Sequence, residues 1–439
     1  MTHTTQKEAY PYFVLAVLLF GLQLVFGLLT IAKYIWPDPL LNILAFNTTR
    51  AIHINLLVFW LLLGFMGGTY YMIPEESDTE LYSTKLAKLQ FWLLAFAGVG
   101  SIVSYVAGYS WGMPFTEQPT PFKIIIVVAA LVFLFNIGMT VIKTGKWTAI
   151  QGVLIGGMVF LAIMFLFGVV FMKNIATQYY FWWWVIHLWV EGAWELIAGA
   201  ILAFVMMKLT GVERGVVEKW LYVEVGLVLF TGIVGTGHHY YWIGTPTYWY
   251  WWGGVFSALE PLPILFMVLD TMRHVNEKAV PIKNRVALHW AVGGAWFHFV
   301  GAGVWGFAHT LPQINKWTHG TQITASHGHM AFFGAYAMLN FTMMYFALPK
   351  LKDMQGYSES RGIFAFWVMV SGMFAMGLAL AVAGIVQTYF NRLIGIDFLT
   401  TQDYMRLWFM VTLVCAAFFA IGAAAFIYDF FSFVRRSEA

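Results

Sequence analysis

Twelve stretches of largely apolar residues follow one another along the chain, each longer than the roughly 18 residues that mark a membrane-spanning helix. They cover residues 11–36, 49–74, 86–109, 122–143, 149–173, 179–207, 217–242, 246–270, 284–311, 322–348, 361–391 and 403–433. The hydrocarbon core offers no water, so backbone N–H and C=O groups must bond within their own segment, and each stretch is a helix. The predicted fold is all-α: a polytopic membrane protein whose twelve transmembrane helices form a single domain over residues 1–439. The connections leave no room for a second, soluble domain. Only 10% of residues are charged and 60% are hydrophobic, against about a quarter charged in soluble proteins.

Lysine and arginine set the orientation. With Met1 inside, 17 of the 24 basic residues fall on one side and 7 on the other. Both termini are therefore expected in the cytoplasm. Met1 to Tyr10 is polar and lacks a cleavable signal pattern. The net charge of +3 reflects this sorting and gives no sign of nucleic-acid binding. The single cysteine, Cys415, excludes a disulfide within the chain and a C-x-x-C-H heme attachment. Any c-type heme must then sit on another polypeptide.

The densest chemistry opens the tenth run, at Thr324-Ala325-Ser326-His327-Gly328-His329. Residues two apart on a helix point about 200° from each other, so His327 and His329 look out from opposite faces. One small metal site cannot easily use both. Two large cofactors on either side of the helix can take one each, and neutral imidazole suits iron, heme iron included. The plainer alternative is two histidines bonded to neighbouring helices. His53, near the outer start of the second run, lies at similar depth.

The sixth run carries His187-Leu188-Trp189-Val190-Glu191-Gly192-Ala193-Trp194-Glu195. His187 and Glu191 are four apart and share a face, a two-ligand edge for a metal. Ionisable residues inside a bilayer are costly and mark function. The seventh run ends Gly235-Thr236-Gly237-His238-His239. Adjacent residues differ by about 100° on a helix, so both imidazoles reach one metal only if the backbone loosens, which the glycines permit. An interfacial role is the alternative. In the eighth run Glu260 precedes Pro261-Leu262-Pro263, which kink the helix. His289, His298 and His309 are spaced nine and eleven apart, fit no compact ligand set, and read as structural. The loop Trp111 to Pro119 holds one carboxylate, Glu117, most simply a solvated acid.

Together, His53, His187 with Glu191, His238-His239 and His327-Gly328-His329 on twelve helices resemble the catalytic, large cytochrome b subunit of cytochrome c-dependent nitric oxide reductases, within the heme–copper oxidase superfamily. The likeness spans essentially the whole chain. It implies a bacterial cytoplasmic-membrane enzyme, its site toward the external side, that reduces two nitric oxide molecules to nitrous oxide and water. His53 and His329 would be the axial ligands of a low-spin heme b, and His327 the ligand of a high-spin heme b3. His187, His238, His239 and Glu191 would hold a non-heme iron, with Glu195 and Glu260 as acids beside it. Oxygen reductases of the superfamily carry a tyrosine where this chain has Glu191, or on the seventh helix where it has Gly232 to Gly237, and they use copper. A hard carboxylate added to three imidazoles favours iron. An oxygen reductase is thus the runner-up. A proton-coupled transporter is the rival from another class, and the paired broken helices it would need are not evident.

The resemblance also implies a membrane-anchored cytochrome c subunit as electron donor, because quinol-dependent relatives carry a fused external domain that this chain does not show. Those enzymes usually place a Glu-x-x-Glu pair before the fourth helix, whose first member helps bind calcium. Here Pro114 stands at that position and Glu117 remains, so calcium is in doubt. Protons present a separate question. Pro261 to Leu269 and Leu196 to Met207 contain no ionisable side chain, and a bare apolar path cannot carry charge. The expected intake is external, near Glu117, with no membrane potential built.

Overall fold

In the computed structural model the described residues are 1–36, 40, 43–111, 113–282, 284–352 and 358–432. Gly112, Lys283, Phe433, Arg435 and Arg436, used above in the loop, the charge count and the last run, lie outside them. Among the described residues regular structure is entirely helical. Among those residues, eleven helices are long and apolar enough to span a membrane. They are α1 Thr4–Ile35, α2 Phe46–Glu76, α3 Thr84–Val106, α4 Thr120–Thr144, α5 Ala149–Phe167, α6 Ile175–Thr210, α7 Arg214–His239, α8 Tyr248–Glu277, α10 Gln322–Leu351, α11 Glu359–Ile394 and α12 Phe398–Ser432. The twelfth segment, α9, is a continuous helical run over 285–310. Its three histidines and five glycines dilute its apolar character.

Most helices extend past the apolar runs read from sequence, because their polar ends continue into the interface. Helix α2 begins at Phe46, so His53 sits about two turns inside it. Helices α2, α6 and α10 form the centre: 78, 89 and 83% of their apolar cores are buried, against 28% for α1, α3 and α12. Lipid is as apolar as leucine, so burial alone does not drive these contacts; close packing does. Small residues permit it. A Cβ at Gly372 of α11 would come within 2.9 Å of the Phe419 backbone of α12, and one at Gly422 within 2.9 Å of Met369 N.

One end of the bundle collects ion pairs. Lys208 meets Glu75 at 2.8 Å, Lys278 meets Glu213 at 2.8 Å, Arg285 meets Glu359 at 3.1 Å and Arg361 meets Asp429 at 2.9 Å. The exposed pairs among them, Lys278–Glu213 and Arg285–Glu359, contribute only about 0–1 kcal/mol each. Their value here is topological, since they place these helix ends on one side, the side read as basic from sequence.

Candidate metal centre

His187, Glu191, His238 and His239 each present one ligand atom, and these four atoms lie within 4.8 Å of one another. Glu191 Oε2 is 3.3 Å from His187 Nδ1, and its Oε1 is 3.5 Å from His239 Nε2. An ion with bonds of about 2 Å holds its ligands roughly 3 to 4 Å apart, so the cluster fits one metal ion. The opposite ring nitrogens are already engaged. His187 Nε2 donates to the Gly232 carbonyl at 2.7 Å, and His238 Nδ1 pairs with Ser257 Oγ at 2.7 Å. Such bonds fix ring orientation and tautomer and leave the other nitrogen for a metal. His187 Nδ1 and His239 Nε2 are buried without a hydrogen-bond partner, a costly state unless an ion takes them. His239 also stacks on Trp183, with ring centroids 4.4 Å apart and planes 10° from parallel.

The backbone explains how these residues meet. Glu191 lies in a π-helical stretch, Leu188–Trp194, and α7 widens likewise over Val228–Gly232. Such turns release carbonyls from the ladder and recur at functional sites; the Gly232 carbonyl that steadies His187 is one. Beyond it α7 tightens into a 3-10 turn, Thr236–His239. The adjacent histidines therefore converge through a tighter turn after a wide one, not through the loosening predicted from the glycines. Glycine matters instead for closeness: a Cβ at Gly253 of α8 would strike the His238 backbone.

Helix α10 separates two environments, as the opposed histidines predicted. His329 faces His53 of α2 with ring centroids 6.1 Å apart and planes 26° from parallel. Their Nδ1 atoms pair with the Ala325 and Gln23 carbonyls at 2.8 and 3.0 Å, leaving each Nε2 free. Two imidazoles bound across one metal at about 2 Å each have centroids roughly 6 Å apart, so this pair fits a shared iron. His327 looks the other way. Its Nδ1 pairs with the Gly301 carbonyl at 3.0 Å, in another π-helical stretch, Phe299–Trp305. His327 lies within electrostatic reach of His238 and His239.

Three acids and one unforeseen histidine complete the site. Glu260 is buried in the break between the two halves of α8, Tyr248–Ser257 and Leu262–Glu277. Thr231 Oγ1 donates to the Leu227 carbonyl at 2.5 Å and lies 3.3 Å from Glu260 Oε1. With that hydrogen so used, a carboxylic acid at Glu260 would be the donor to the Thr231 oxygen. Glu195 is buried with His298 Nε2 3.7 Å away, a proximity that only the helix packing reveals. His309 is bonded on both nitrogens, to Thr318 and Thr324, and His289 bonds the Arg285 carbonyl at an exposed position. Both fit the structural reading. Glu117 is not a solvated loop acid: it is 4% exposed and accepts from Asn55 Nδ2 at 2.8 Å. Burial pushes its carboxyl up to about 7, against the opposing Asn55 bond. The loop folds inward on this bond, and composition could not show it. Among the buried acids that the sequence reading passed over is Glu224 of α7, which is fully enclosed.

Residues 7–418 match the family described as cytochrome c and quinol oxidase polypeptide I. The chain is 46% identical over 448 residues to a subunit of the nitric oxide reductase of Stutzerimonas stutzeri, covering 97% of this chain and 94% of that protein. It is 22% identical to the cbb3-type cytochrome c oxidase subunit CcoN1 of the same organism, covering 99% of this chain and 98% of that one. Its fold is shared with a solved heme–copper terminal oxidase dimer at a TM-score of 0.76, with 14% identity over 97% of this chain and 83% of that one.

Proposed function

The chain belongs to the cytochrome c and quinol oxidase polypeptide I family and is, by its relationship within it, a nitric oxide reductase; from that premise we propose that it converts two nitric oxide, two electrons and two protons to one nitrous oxide and one water at a paired heme and non-heme iron. The observation that supports this reading most is Glu191 inside the three-histidine cluster. A carboxylate with imidazoles suits iron, whereas copper sites favour softer sets.

His187, His238, His239 and Glu191 would hold the iron, His327 the high-spin heme b3, and His53 with His329 the low-spin heme b. When bound, these groups supply the electrons and the open positions at which two substrate molecules are oriented. The chain's own part is proton management. Glu260 holds a proton against the Thr231 oxygen beside Gly235, three residues before His238. Glu195 holds one beside His298. Both are placed to give protons as the substrate oxygen becomes water. Glu117, on the external side, is the entry acid. We assign no calcium there, because Arg50 and Lys123 both lie within electrostatic reach of Glu117 and calcium needs six to eight oxygens.

The protein is a multi-pass membrane protein. We place both termini in the cytoplasm of a bacterium and the metal site toward the external side. A membrane-anchored cytochrome c subunit delivers electrons from that side. The oxygen-reductase alternative lacks its tyrosine at position 191 and over 232–237. The test is turnover by the purified complex with a reduced c-type donor. Nitric oxide should disappear with one nitrous oxide released per two consumed. Oxygen consumption with no reaction toward nitric oxide would contradict the assignment.

A further inference from the structure

In three wide turns of this bundle a backbone carbonyl is taken by a side chain from a neighbouring helix. The stretch Val228–Gly232 of α7 offers the Gly232 carbonyl to His187 Nε2 at 2.7 Å, and Phe299–Trp305 of α9 offers the Gly301 carbonyl to His327 Nδ1 at 3.0 Å. Each of these bonds orients a ring read above as a metal ligand. The third wide turn is Leu188–Trp194 of α6, and there the roles are reversed. The turn itself carries the ligand, Glu191. Its Val190 carbonyl accepts from the Tyr336 hydroxyl of α10 at 2.8 Å.

Packing holds both partners of that bond in place. Tyr336 is buried, and its ring meets Trp194 and Phe65 edge to face, with centroids 5.2 and 6.0 Å away. A Cβ at Gly334 would strike the His298 backbone, so α10 presses on α9 two residues before Tyr336. A Cβ at Gly192 would come within 2.9 Å of the Phe160 ring of α5. The residues flanking Glu191 are thus held by two helices, Gly192 by α5 and Val190 by α10. A π-helical turn bonds residues five apart instead of four. Were this one to tighten into an α-helix, the residues after Leu188 would rotate relative to His187, and Glu191 with them. Its carboxylate would leave the place where it stands 3.3 Å from His187 Nδ1 and 3.5 Å from His239 Nε2. A phenylalanine at 336 would fill the same space, so packing alone asks for the ring and not for the hydroxyl.

We propose that Tyr336 is a positioning residue for the metal centre: by holding the Val190 carbonyl it keeps the wide turn of α6 open and so aims Glu191 at the ion. This rests on the reading of His187, Glu191, His238 and His239 as the iron site. Tyr336 acts through the backbone, one residue before Glu191. The same bond fixes the turn against α10, the helix that carries His327 and His329. The carboxylate and the heme ligands are thereby set in one frame.

The test uses the complete complex with its electron-donor subunit, depleted of non-heme iron and titrated with iron isotopically labelled for Mössbauer spectroscopy. Tyr336→Phe keeps the ring and removes the hydroxyl. Its affinity for the added iron should fall about tenfold or more, as when other groups that orient ligands are lost. The Mössbauer spectrum of the bound iron should change, and both heme bands should stay as they are. Tyr345→Phe is the control. It removes a hydroxyl that lies 3.1 Å from Asp429 Oδ2, farther along the same helix, and should leave iron affinity and spectrum as in the wild type. Wild-type affinity in Tyr336→Phe, or a wild-type spectrum despite weaker binding, would overturn the proposal and leave the iron reading intact. Loss of the heme bands along with the iron, or an equal loss of affinity in Tyr345→Phe, would overturn it too, because either marks a general weakening of the bundle. A wild-type complex that takes up no iron at the cluster would instead count against the iron reading.

Discussion

Glu191 Oε2 stands 3.3 Å from His187 Nδ1, one turn along the same helix, while the other nitrogen of that imidazole is tied to the Gly232 carbonyl at 2.7 Å. The ring is thus held in one tautomer with its free nitrogen aimed at a carboxylate, and His239 reaches the second oxygen of that carboxylate at 3.5 Å. A metal ion resolves what is otherwise a set of unpaired buried donors and acceptors.

The orienting bonds are therefore expected to matter. Ser257→Ala removes the partner of His238 Nδ1. Groups that orient ligands typically change metal affinity by about 10–100-fold when lost. Titration of iron into the metal-depleted complex should show a loss of that order. Both heme bands should be unchanged, because Ser257 touches neither His53, His327 nor His329. Unchanged iron affinity would remove Ser257 from the site.

Opposed faces of α10 predict separable cofactors. His53→Ala should remove the low-spin heme alone, and His327→Ala the high-spin heme alone. Pyridine-extract and visible spectra of stably folded variants check this. Loss of both hemes from His53→Ala would count against two independent ligand sets.

Proton supply is predicted to fail without ligand loss in Glu260→Gln. The variant keeps the shape and removes the acid. General acid–base groups contribute about 10²–10⁴-fold to rate, so turnover should fall by at least about a hundredfold with the heme spectrum nearly intact. A variant with wild-type turnover would free Glu260 from this role.

Glu117 predicts a pH dependence. Its folded carboxyl titrates at about 7 against an ordinary 4.5, so between those values the folded protein holds more protons than the unfolded chain. Stability then falls as pH rises. The favourable contribution is complete below about 4.5 and lost by passage through about 7. Half-lives for thermal loss of the heme spectrum should shorten in wild type from pH 5 to pH 8. The fall should be smaller in Glu117→Gln, and an equal fall in both would contradict the assignment.

What the sequence made legible follows from chemistry with few solutions. Helical periodicity alone put His327 and His329 on opposite faces and His187 with Glu191 on one, and the structure preserves both relationships. Partners across helices were not legible. His298 meets Glu195 only because α9 packs on α6, and Glu224 is buried only because α6 offers Gly199. Both depend on contacts between residues distant in the chain, which spacing along one helix cannot show. Glu117 was misread for a related reason: a loop's composition is silent on whether it folds over Asn55.

The most direct test of the whole account is metal and heme analysis of the purified complex, corrected for the iron of the electron donor, alongside Glu191→Ala. The account predicts two b-type hemes and one non-heme iron in this chain, no copper, and selective loss of the non-heme iron in the variant. One copper for every two irons, or a variant that keeps all its iron, would contradict it.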